Sequence, residues 1–166
     1  MKQHHIEDDF LKSYDEFSDS LFKHCFYRVS DREIALDLTQ ETFVKTWEYM
    51  AMGKEVGNLR SFLYKVANNL IIDFYRKKKS DSLDALQEGG FDVQSDDAEK
   101  IVISSEGKNA LKALENLDEK HRQVIIMRFV DELTPREIAE IIGESENAVS
   151  VRINRSIKKL KEILKL

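Results

Sequence analysis

The stretch from Thr134 to Ser145 constrains the fold most, because it holds the only proline of the chain and a glycine eight residues later. Thr134 can cap a helix, Pro135 fits its first turn, and Glu137 stands three residues after the cap, where a capping box needs it. Gly143 lies at a turn that favours positive φ, and Ser145 can cap a second helix. The pattern predicts two helices joined by a tight turn.

The second of these helices is amphipathic and basic. Its apolar residues recur every three or four positions, as one face of a helix requires: Val149, Ile153, Ile157, Leu160 and Leu164. The other face offers Asn147, Ser150, Arg152, Asn154 and Arg155. From Ser150 to Leu166 there are six Lys or Arg and one acid, Glu162. This arrangement is typical of a DNA-reading helix-turn-helix; an ordinary helical hairpin with a solvated face is the alternative.

The remaining composition predicts an all-α, cytoplasmic protein. Six Gly and one Pro leave few helix breakers, and no alternating runs joined by a hairpin turn are present. The start, MKQHHIEDDF, lacks the pattern of a signal peptide, and no apolar run is long enough for membrane insertion. The single Cys25 cannot form an internal disulfide, which suits the cytoplasm.

Charge divides the chain into three parts. Residues 1–79 carry 13 basic and 13 acidic side chains, and residues 107–166 carry 12 and 10. Residues 80–106 carry 1 basic and 8 acidic side chains, which accounts for the overall net charge of −5. We therefore predict two small helical domains, 1–79 and 107–166, joined by a flexible acidic linker over 80–106.

The first domain reads as three helices, over about 6–29, 31–50 and 59–79. In the second helix Val44 belongs to the predicted apolar side, with Ile34, Leu38 and Trp47. A polar stripe runs along the same helix: Asp37, Gln40, Glu41 and Glu48. The third helix carries a polar face of Lys65, Asn69, Asp73 and Arg76 and ends in three lysines. On charge alone, a solvated surface explains the acidic stripe.

The order of these parts resembles the extracytoplasmic-function (ECF) sigma factors, small members of the sigma-70 family. DREIALDLTQETFVKTWEYM is similar to the D-x-x-Q-E-x-F segment of sigma region 2, matched by Asp37, Gln40, Glu41 and Phe43. YKVANNLIIDFYRKK is similar to its A-x-N-x-x-x-D-x-x-R helix, matched by Ala67, Asn69, Asp73 and Arg76. The segment from Leu114 to Leu160 resembles sigma region 4. The likeness covers about residues 8–79 and 107–164.

The resemblance implies a promoter-specificity subunit of RNA polymerase with two working domains. Region 2, a three-helix bundle, would dock on the clamp of core RNA polymerase through Asp37, Gln40 and Glu41. It would also bind and melt the −10 element of promoter DNA through Lys65, Asn69, Arg76 and Lys77, with the loop from Lys54 to Asn58; Asp73 would orient Asn69. Region 4, a four-helix domain, would read the −35 element through Ser150, Arg152 and Arg155, with Arg136 and Asn147 near the DNA backbone. An anti-sigma factor is a further partner that the family leads us to expect.

Two departures from the family pattern put the −35 sequence in doubt. Ala148 stands where the family often has Thr before the Val of the recognition helix, and Ser150 replaces a basic residue that often follows that Val. The −35 sequence therefore does not carry over from the family.

Two other functions compete with this interpretation. A stand-alone helix-turn-helix transcriptional regulator would bind as a dimer to a palindromic site. A helical enzyme with an accessory DNA-binding domain would need a catalytic cluster. The sequence contains no P-loop, no His/Cys metal spacing and no nucleophile–base set, so we predict no catalytic residues, no metal and no cofactor.

Overall fold

A computed structural model describes residues 2–85 and 105–166, with side chains described for residues 2–81 and 107–166. The described parts of the chain are helical, in the order α1 (Lys2–Val29), α2 (Arg32–Ala51), α3 (Leu59–Ala85), α4 (Ser105–Glu115), α5 (Glu119–Ile125), α6 (Pro135–Ile142) and α7 (Glu146–Leu164). A short π-helical segment, Ile126–Val130, continues α5. Helices α1–α3 form a first lobe and α4–α7 a second, which confirms the predicted all-α fold.

The helix-turn-helix forms as its sequence predicts. The Thr134 side chain accepts a hydrogen bond from the Glu137 backbone N–H, and the Glu137 carboxylate accepts one from the Thr134 backbone N–H, completing the capping box. Gly143 ends α6 in the left-handed region, at φ 72°, and Ser145 caps α7. A residue with a Cβ would be strained at that φ, so the turn between α6 and α7 depends on this glycine.

The core of the first lobe lies where α1 packs on α2 and α3. Leu21, Cys25, Phe43, Leu63 and Ile71 are all buried there. Burial raises the pKa of the Cys25 thiol to about 12, so this cysteine is an inert core residue.

The prediction for Val44 is wrong: this residue is 54% exposed, on the outer side of α2. Three threonines, Thr39, Thr42 and Thr46, take the inner positions instead. Each hydroxyl donates to the backbone carbonyl four residues earlier, so the threonines bury without unpaired polar groups.

Helix α3 is longer than its apolar pattern predicts. It runs to Ala85, so residues 80–85 of the segment predicted as linker are helical, as are residues 105 and 106 at its other end. After Lys79 no glycine or proline occurs before Gly89, so nothing in the sequence stops the helix earlier. The rest of the predicted linker, residues 86–104, lies outside the described residues.

The two lobes pack against each other. Helix α3 packs on α6, and α1 packs on the π-helical segment. One cluster of buried apolar residues runs from Leu21 and Leu63 in the first lobe to Met127, Leu133 and Ile138 in the second. The helical periodicity of the sequence does not predict this contact, because the acidic segment separates the apolar residues of the two lobes along the chain.

Candidate nucleic-acid interface

The outer face of the helix-turn-helix presents the predicted DNA-reading side chains to solvent. Asn147 and Arg155 of α7 are exposed, Arg136 of α6 is exposed, and Ser150 is half-buried. Val149 and Ile153 anchor the opposite face of α7 in the core. A helix held in this way can lie in a major groove with its polar face toward the base edges.

Arg152 is less free than its neighbours. Its Nη2 lies 2.7 Å from Oε2 of Glu144 in the turn, and only 19% of the Arg152 side chain is exposed. Arg136 is also paired, with Glu140 at 3.8 Å, but both of those side chains are mostly exposed. The Arg152 guanidinium is therefore held beside the turn, whereas Arg136 is available to a ligand at little cost.

The polar face of α3 is open along its length. Lys65, Asn69, Arg76 and Lys77 are all exposed. The Arg76 guanidinium lies 3.8 Å from Asp73, a weak pair because both side chains are largely exposed. Asp73 thus pairs with Arg76, whereas the resemblance predicts that Asp73 orients Asn69. A row of cations and amides on one helix suits phosphates and unstacked bases.

The loop between α2 and α3 borders a wide groove of about 1370 Å³. Its other wall is the N-terminal half of α1, and Trp47, Lys54 and Asn58 are among its lining residues. Beside the groove, the Lys54 ammonium lies 5.0 Å from the ring centroid of Tyr49, which in turn contacts Phe62 at 4.8 Å. A cation of the loop thus lies beside aromatic side chains of α2 and α3.

The acidic stripe of α2 is fully displayed. Asp37, Gln40 and Glu41 are exposed, and the exposed side chains of Leu36 and Val44 lie on the same side of the helix. This side of α2 therefore combines carboxylates with exposed apolar side chains.

The contact between the lobes contains buried polar groups that sequence reasoning missed. Nδ1 of His24, on α1, is hydrogen-bonded to the Asp131 carboxylate of the second lobe, and the two side chains are 0% and 1% exposed. Nε2 of His24 has no partner among the described residues. Arg60 at the start of α3 donates to the Asp131 carbonyl at 2.7 Å and pairs with Glu137 at 3.3 Å.

A second polar group surrounds Arg28, which is fully buried at the end of α1. Its guanidinium donates to Asn68 of α3 at 3.0 Å and to Glu119 of α5 at 3.1 Å. Gln123 of α5 donates to the same Asn68 oxygen at 2.6 Å. Burial lowers the pKa of Arg28, while the Glu119 carboxylate opposes that shift; a guanidinium stays charged in any case.

Tyr75 and Arg122 extend this group at the surface. The Tyr75 hydroxyl donates to the backbone carbonyl of Arg28, and Nη1 of Arg122 donates to the same carbonyl at 3.2 Å. Burial raises the pKa of Tyr75, so its hydroxyl remains a donor at neutral pH. Each lobe therefore contributes charged groups to the other.

One signal in the sequence points to this contact. Leu21, Cys25 and Arg28 fall on one face of α1, at spacings of four and three, so Arg28 occupies a position where the apolar pattern calls for another hydrophobic residue. A charge at a core position needs a partner, because an unpaired buried charge is costly. The sequence does not say that the partner is Glu119, 91 residues away.

Two kinds of feature are absent from the part of the chain that the structure describes. No cluster of three or more His, Cys, Asp or Glu side chains in residues 2–85 and 105–166 is placed to hold a metal ion. Within the same ranges, no helix combines the length and apolar character needed to cross a bilayer.

Comparison with known families assigns both lobes. Residues 14–81 match the family described as Sigma-70 region 2, and residues 113–162 match Sigma-70, region 4. The chain is 30% identical to the ECF RNA polymerase sigma factor SigW of Bacillus subtilis, over 96% of this chain and 90% of SigW. It is 25% identical to the ECF RNA polymerase sigma factor BldN of Streptomyces coelicolor; there the match covers 95% of this chain but spans only 61% of BldN.

A solved structure shares the fold. The sigma factor RpoE, in its co-crystal structure with the anti-sigma factor NepR from Bartonella quintana, matches with a TM-score of 0.79 at 24% identity, over 95% of this chain and 98% of that one. The α2 and α3 motifs, the helix-turn-helix and the family matches agree. The chain belongs to the ECF RNA polymerase sigma factors of the sigma-70 family, which bind core RNA polymerase and promoter DNA to start transcription.

Proposed function

We propose a division of labour between the lobes: residues 1–79 dock on core polymerase and open the −10 element, and residues 107–166 read the −35 element. One observation carries this proposal. The side chains assigned to DNA on both lobes are exposed or half-buried. The buried groups of the contact between the lobes, such as His24, Arg28 and Asp131, are a separate set.

Docking on polymerase is assigned to the outer face of α2. Asp37, Gln40, Glu41 and Val44 follow the spacing of one helix face, and all four are exposed. Carboxylates can pair with basic groups of the clamp, while Leu36 and Val44 add apolar contact area. The exposed Val44 side chain lacks the favourable free energy of apolar burial, and a partner that covers this side chain would supply it.

Promoter opening is assigned to the polar face of α3 and the adjacent loop. Extracting a base from the stack costs a few kcal/mol, and stacking on side chains returns about 1–3 kcal/mol per base. Lys65, Arg76 and Lys77 would hold the backbone, and Asn69 would hydrogen-bond a base edge. Tyr49 and Lys54, which the motif of α3 does not include, would add an aromatic ring and a cation to this DNA-binding surface.

Reading of the −35 element is assigned to the N-terminal half of α7. Ser150, Arg152 and Arg155 would face the major groove, where a good bidentate contact discriminates bases by about 1–3 kcal/mol. Arg136 and Asn147 would contact the backbone. The protein would act by binding alone, with no catalytic group, metal or cofactor of its own, in the cytoplasm where polymerase and DNA are.

The decisive experiment is run-off transcription with core polymerase on fragments of the source genome. We expect transcripts from a defined set of promoters that share −10 and −35 sequences, and none from core polymerase alone. A stand-alone regulator would bind its operator without polymerase and give no transcripts. The same assay locates the −35 sequence, which Ala148 and Ser150 leave open.

A charge-reversal variant tests the docking face. Asp37→Lys with Glu41→Lys should abolish association with core polymerase and leave the helix content unchanged. The matched control is Asp15→Lys with Asp19→Lys, which makes the same charge change on the exposed face of α1. Full binding by the α2 variant, or equal loss in both variants, would refute the assignment.

An anti-sigma factor is a proposed third partner. RpoE in complex with the anti-sigma factor NepR, and CnrH in complex with the cytosolic domain of CnrY, are similar in fold to this chain. A pull-down with the tagged full chain from its source cells would identify such a partner. A bound protein that blocks run-off transcription and is released by excess core polymerase would support the proposal.

A further inference from the structure

We infer that Val151, on the outward side of α7, is a specificity residue that selects a thymine in the −35 element by contact with the methyl group of that base. This role of Val151 depends on the proposed reading of the −35 element by α7. Three features support it: the position of Val151 on the helix, the short side chains beside it, and the chemistry of base edges in the major groove.

Val151 lies at the centre of the outward side of α7. At about 3.6 residues per turn, Val149 and Ile153, two positions before and after it, each lie about 160° away around the helix. Both are buried, with 0% and 6% exposed, so they mark the inward side of α7. Asn147 and Arg155, four positions before and after Val151, are exposed and lie only about 40° away from it. Val151 therefore stands within the row of side chains that would face DNA.

Packing of the described residues does not account for the Val151 side chain. Val151 is 39% exposed, and within residues 2–81 and 107–166 it belongs neither to the two clusters of buried apolar residues nor to the partly buried side chains packed against them. Valine is also a poorer helix former than alanine, because its branched Cβ restricts χ1. A single exposed valine is common on protein surfaces, but this one interrupts a polar row where a recognition helix contacts bases.

Short neighbouring side chains allow Val151 to reach a base. The methyl groups of a valine are attached directly to Cβ, so they touch a base edge only if the helix backbone comes close to the DNA. Ala148 and Ser150, three positions and one position before Val151, are short, and the longer Arg152 is paired with Glu144 in the turn at 2.7 Å. The two departures from the family pattern, at positions 148 and 150, therefore remove bulk that would hold α7 away from the base edges.

The major groove offers an apolar side chain one matching group. Of the four bases only thymine presents a methyl group there, and the other groups that distinguish base pairs are hydrogen-bond donors and acceptors. Contact between the Val151 side chain and the thymine methyl group removes apolar surface of both from water, which is favourable. Val151 therefore selects an A·T pair, in the orientation that places the thymine methyl group beside the helix.

The test uses promoter fragments in which deoxyuridine replaces one thymine at a time. This replacement removes only the methyl group and leaves base pairing intact. In a promoter found by run-off transcription, each thymine of the −35 element is replaced in turn, on either strand, and filter binding measures the affinity of the polymerase complex for each fragment. We expect one replacement to lower the affinity of the wild type about fourfold, the effect of one buried methyl group, and the others to have little effect.

Two variants connect that loss to the valine. Val151→Ala should bind the unmodified promoter about fourfold more weakly, and should bind the thymine and deoxyuridine fragments equally, because its side chain no longer reaches the methyl group. Val151→Ile keeps an apolar β-branched side chain and should retain the preference for thymine. Both residues are compatible with an exposed helix position, so circular dichroism should show unchanged helix content.

Ile163→Ala is the matched control, because it truncates an apolar residue that is 37% exposed near the other end of α7. This variant should distinguish thymine from deoxyuridine as the wild type does. Four results would overturn the role of Val151: a −35 element made only of G·C pairs, no thymine whose methyl group affects binding by the wild type, a Val151→Ala variant that still distinguishes the two fragments, or an equal loss of discrimination in Ile163→Ala.

Arg155→Ala keeps this test separate from the proposed function. If Arg155→Ala weakens promoter binding but no thymine methyl group matters, α7 reads the −35 element without Val151, so selection by Val151 is wrong and the proposed function stands. If Arg155→Ala and replacement of the −35 base pairs both leave promoter binding unchanged, the assignment of −35 reading to α7 itself fails.

Discussion

The outward faces of the two lobes and the contact between them use the same residue types in opposite ways. Outside, Arg76 and Arg136 pair with acids on their own helix, 3.8 Å away, and all four side chains are largely exposed. Inside, Arg28 and His24 pair with acids of the other lobe and are fully buried. The outer pairs can be exchanged for a ligand at little cost, whereas the inner pairs are exchanged only by separating the lobes.

Charged side chains therefore have different roles in the two regions. On the outer faces, long cationic side chains remain available for phosphates and base edges, and their intrahelical partners only bias their positions. Within the contact, desolvated charges fix how the lobes fit together. Mutations should therefore distinguish the two regions: outer changes should alter DNA binding, and inner changes should alter the free energy of unfolding.

The largest effect is expected inside the contact. Asp131→Ala should lower the free energy of unfolding by about 3 kcal/mol, because it leaves the buried His24 ring without its partner. Urea unfolding followed by helix content and by Trp47 fluorescence measures this loss. Trp47 lies in the first lobe, so an effect on its transition would show that Asp131 of the second lobe stabilises the first.

The control for this prediction is an outer acid. Glu140→Ala removes the partner of Arg136, and with side chains 78% and 66% exposed the pair should contribute at most about 0.5 kcal/mol. Equal losses in the two variants would erase the distinction between the inner and outer regions.

The residues of the outer faces can be predicted from the sequence for a physical reason. Helix periodicity and capping are local, so Thr134, Gly143 and Ser145 determine the helix-turn-helix within twelve residues, and the motif of α3 places Asn69 and Arg76 on one face. The inner contact is not local. His24 and Asp131 are 107 positions apart, and neither is among the residue types most often fully buried.

Two residues show the limits of pattern reasoning more closely. Val44 fits the apolar period of α2 but is exposed, because Thr42 and Thr46 satisfy their hydroxyls against the backbone and can be buried instead. The acidic charge of residues 80–106 predicts a linker, yet α3 extends to Ala85, because acidic side chains do not end a helix as a glycine or proline does. In both cases backbone hydrogen bonding overrides side-chain polarity.

A smaller effect is expected from truncation on the outer faces. Arg76→Ala and Arg155→Ala should each weaken promoter binding by the polymerase complex by about 1–3 kcal/mol, with no change in the urea midpoint. Filter binding over a range of salt concentrations measures the loss, and the salt dependence should fall by about one counterion where a phosphate contact is removed.

Lys120→Ala is the matched control for these two variants. Lys120 is an exposed cation of α5 that the proposal does not place on DNA. A similar loss of affinity in Lys120→Ala would mean that overall charge, and not the assigned faces, governs binding.

The smallest effect is expected at Arg152, whose ion pair is intermediate in burial between the outer and the inner pairs. Its pair with Glu144 is close, at 2.7 Å, but only partly buried, with side chains 19% and 34% exposed. Glu144→Gln should cost up to about 1 kcal/mol of stability. It should also raise DNA affinity at low salt, because it removes a carboxylate beside the recognition helix and frees the guanidinium.

A double-mutant cycle with Arg152→Ala decides whether that gain comes from the pair. If Glu144 restrains Arg152, Glu144→Gln improves DNA binding only when Arg152 is present. Glu162→Gln, the same change at the far end of α7, should leave affinity almost unaltered. If Glu144→Gln instead weakens binding, Glu144 holds Arg152 in its DNA-reading position, and this ion pair then resembles the inner contact, in which paired charges fix geometry.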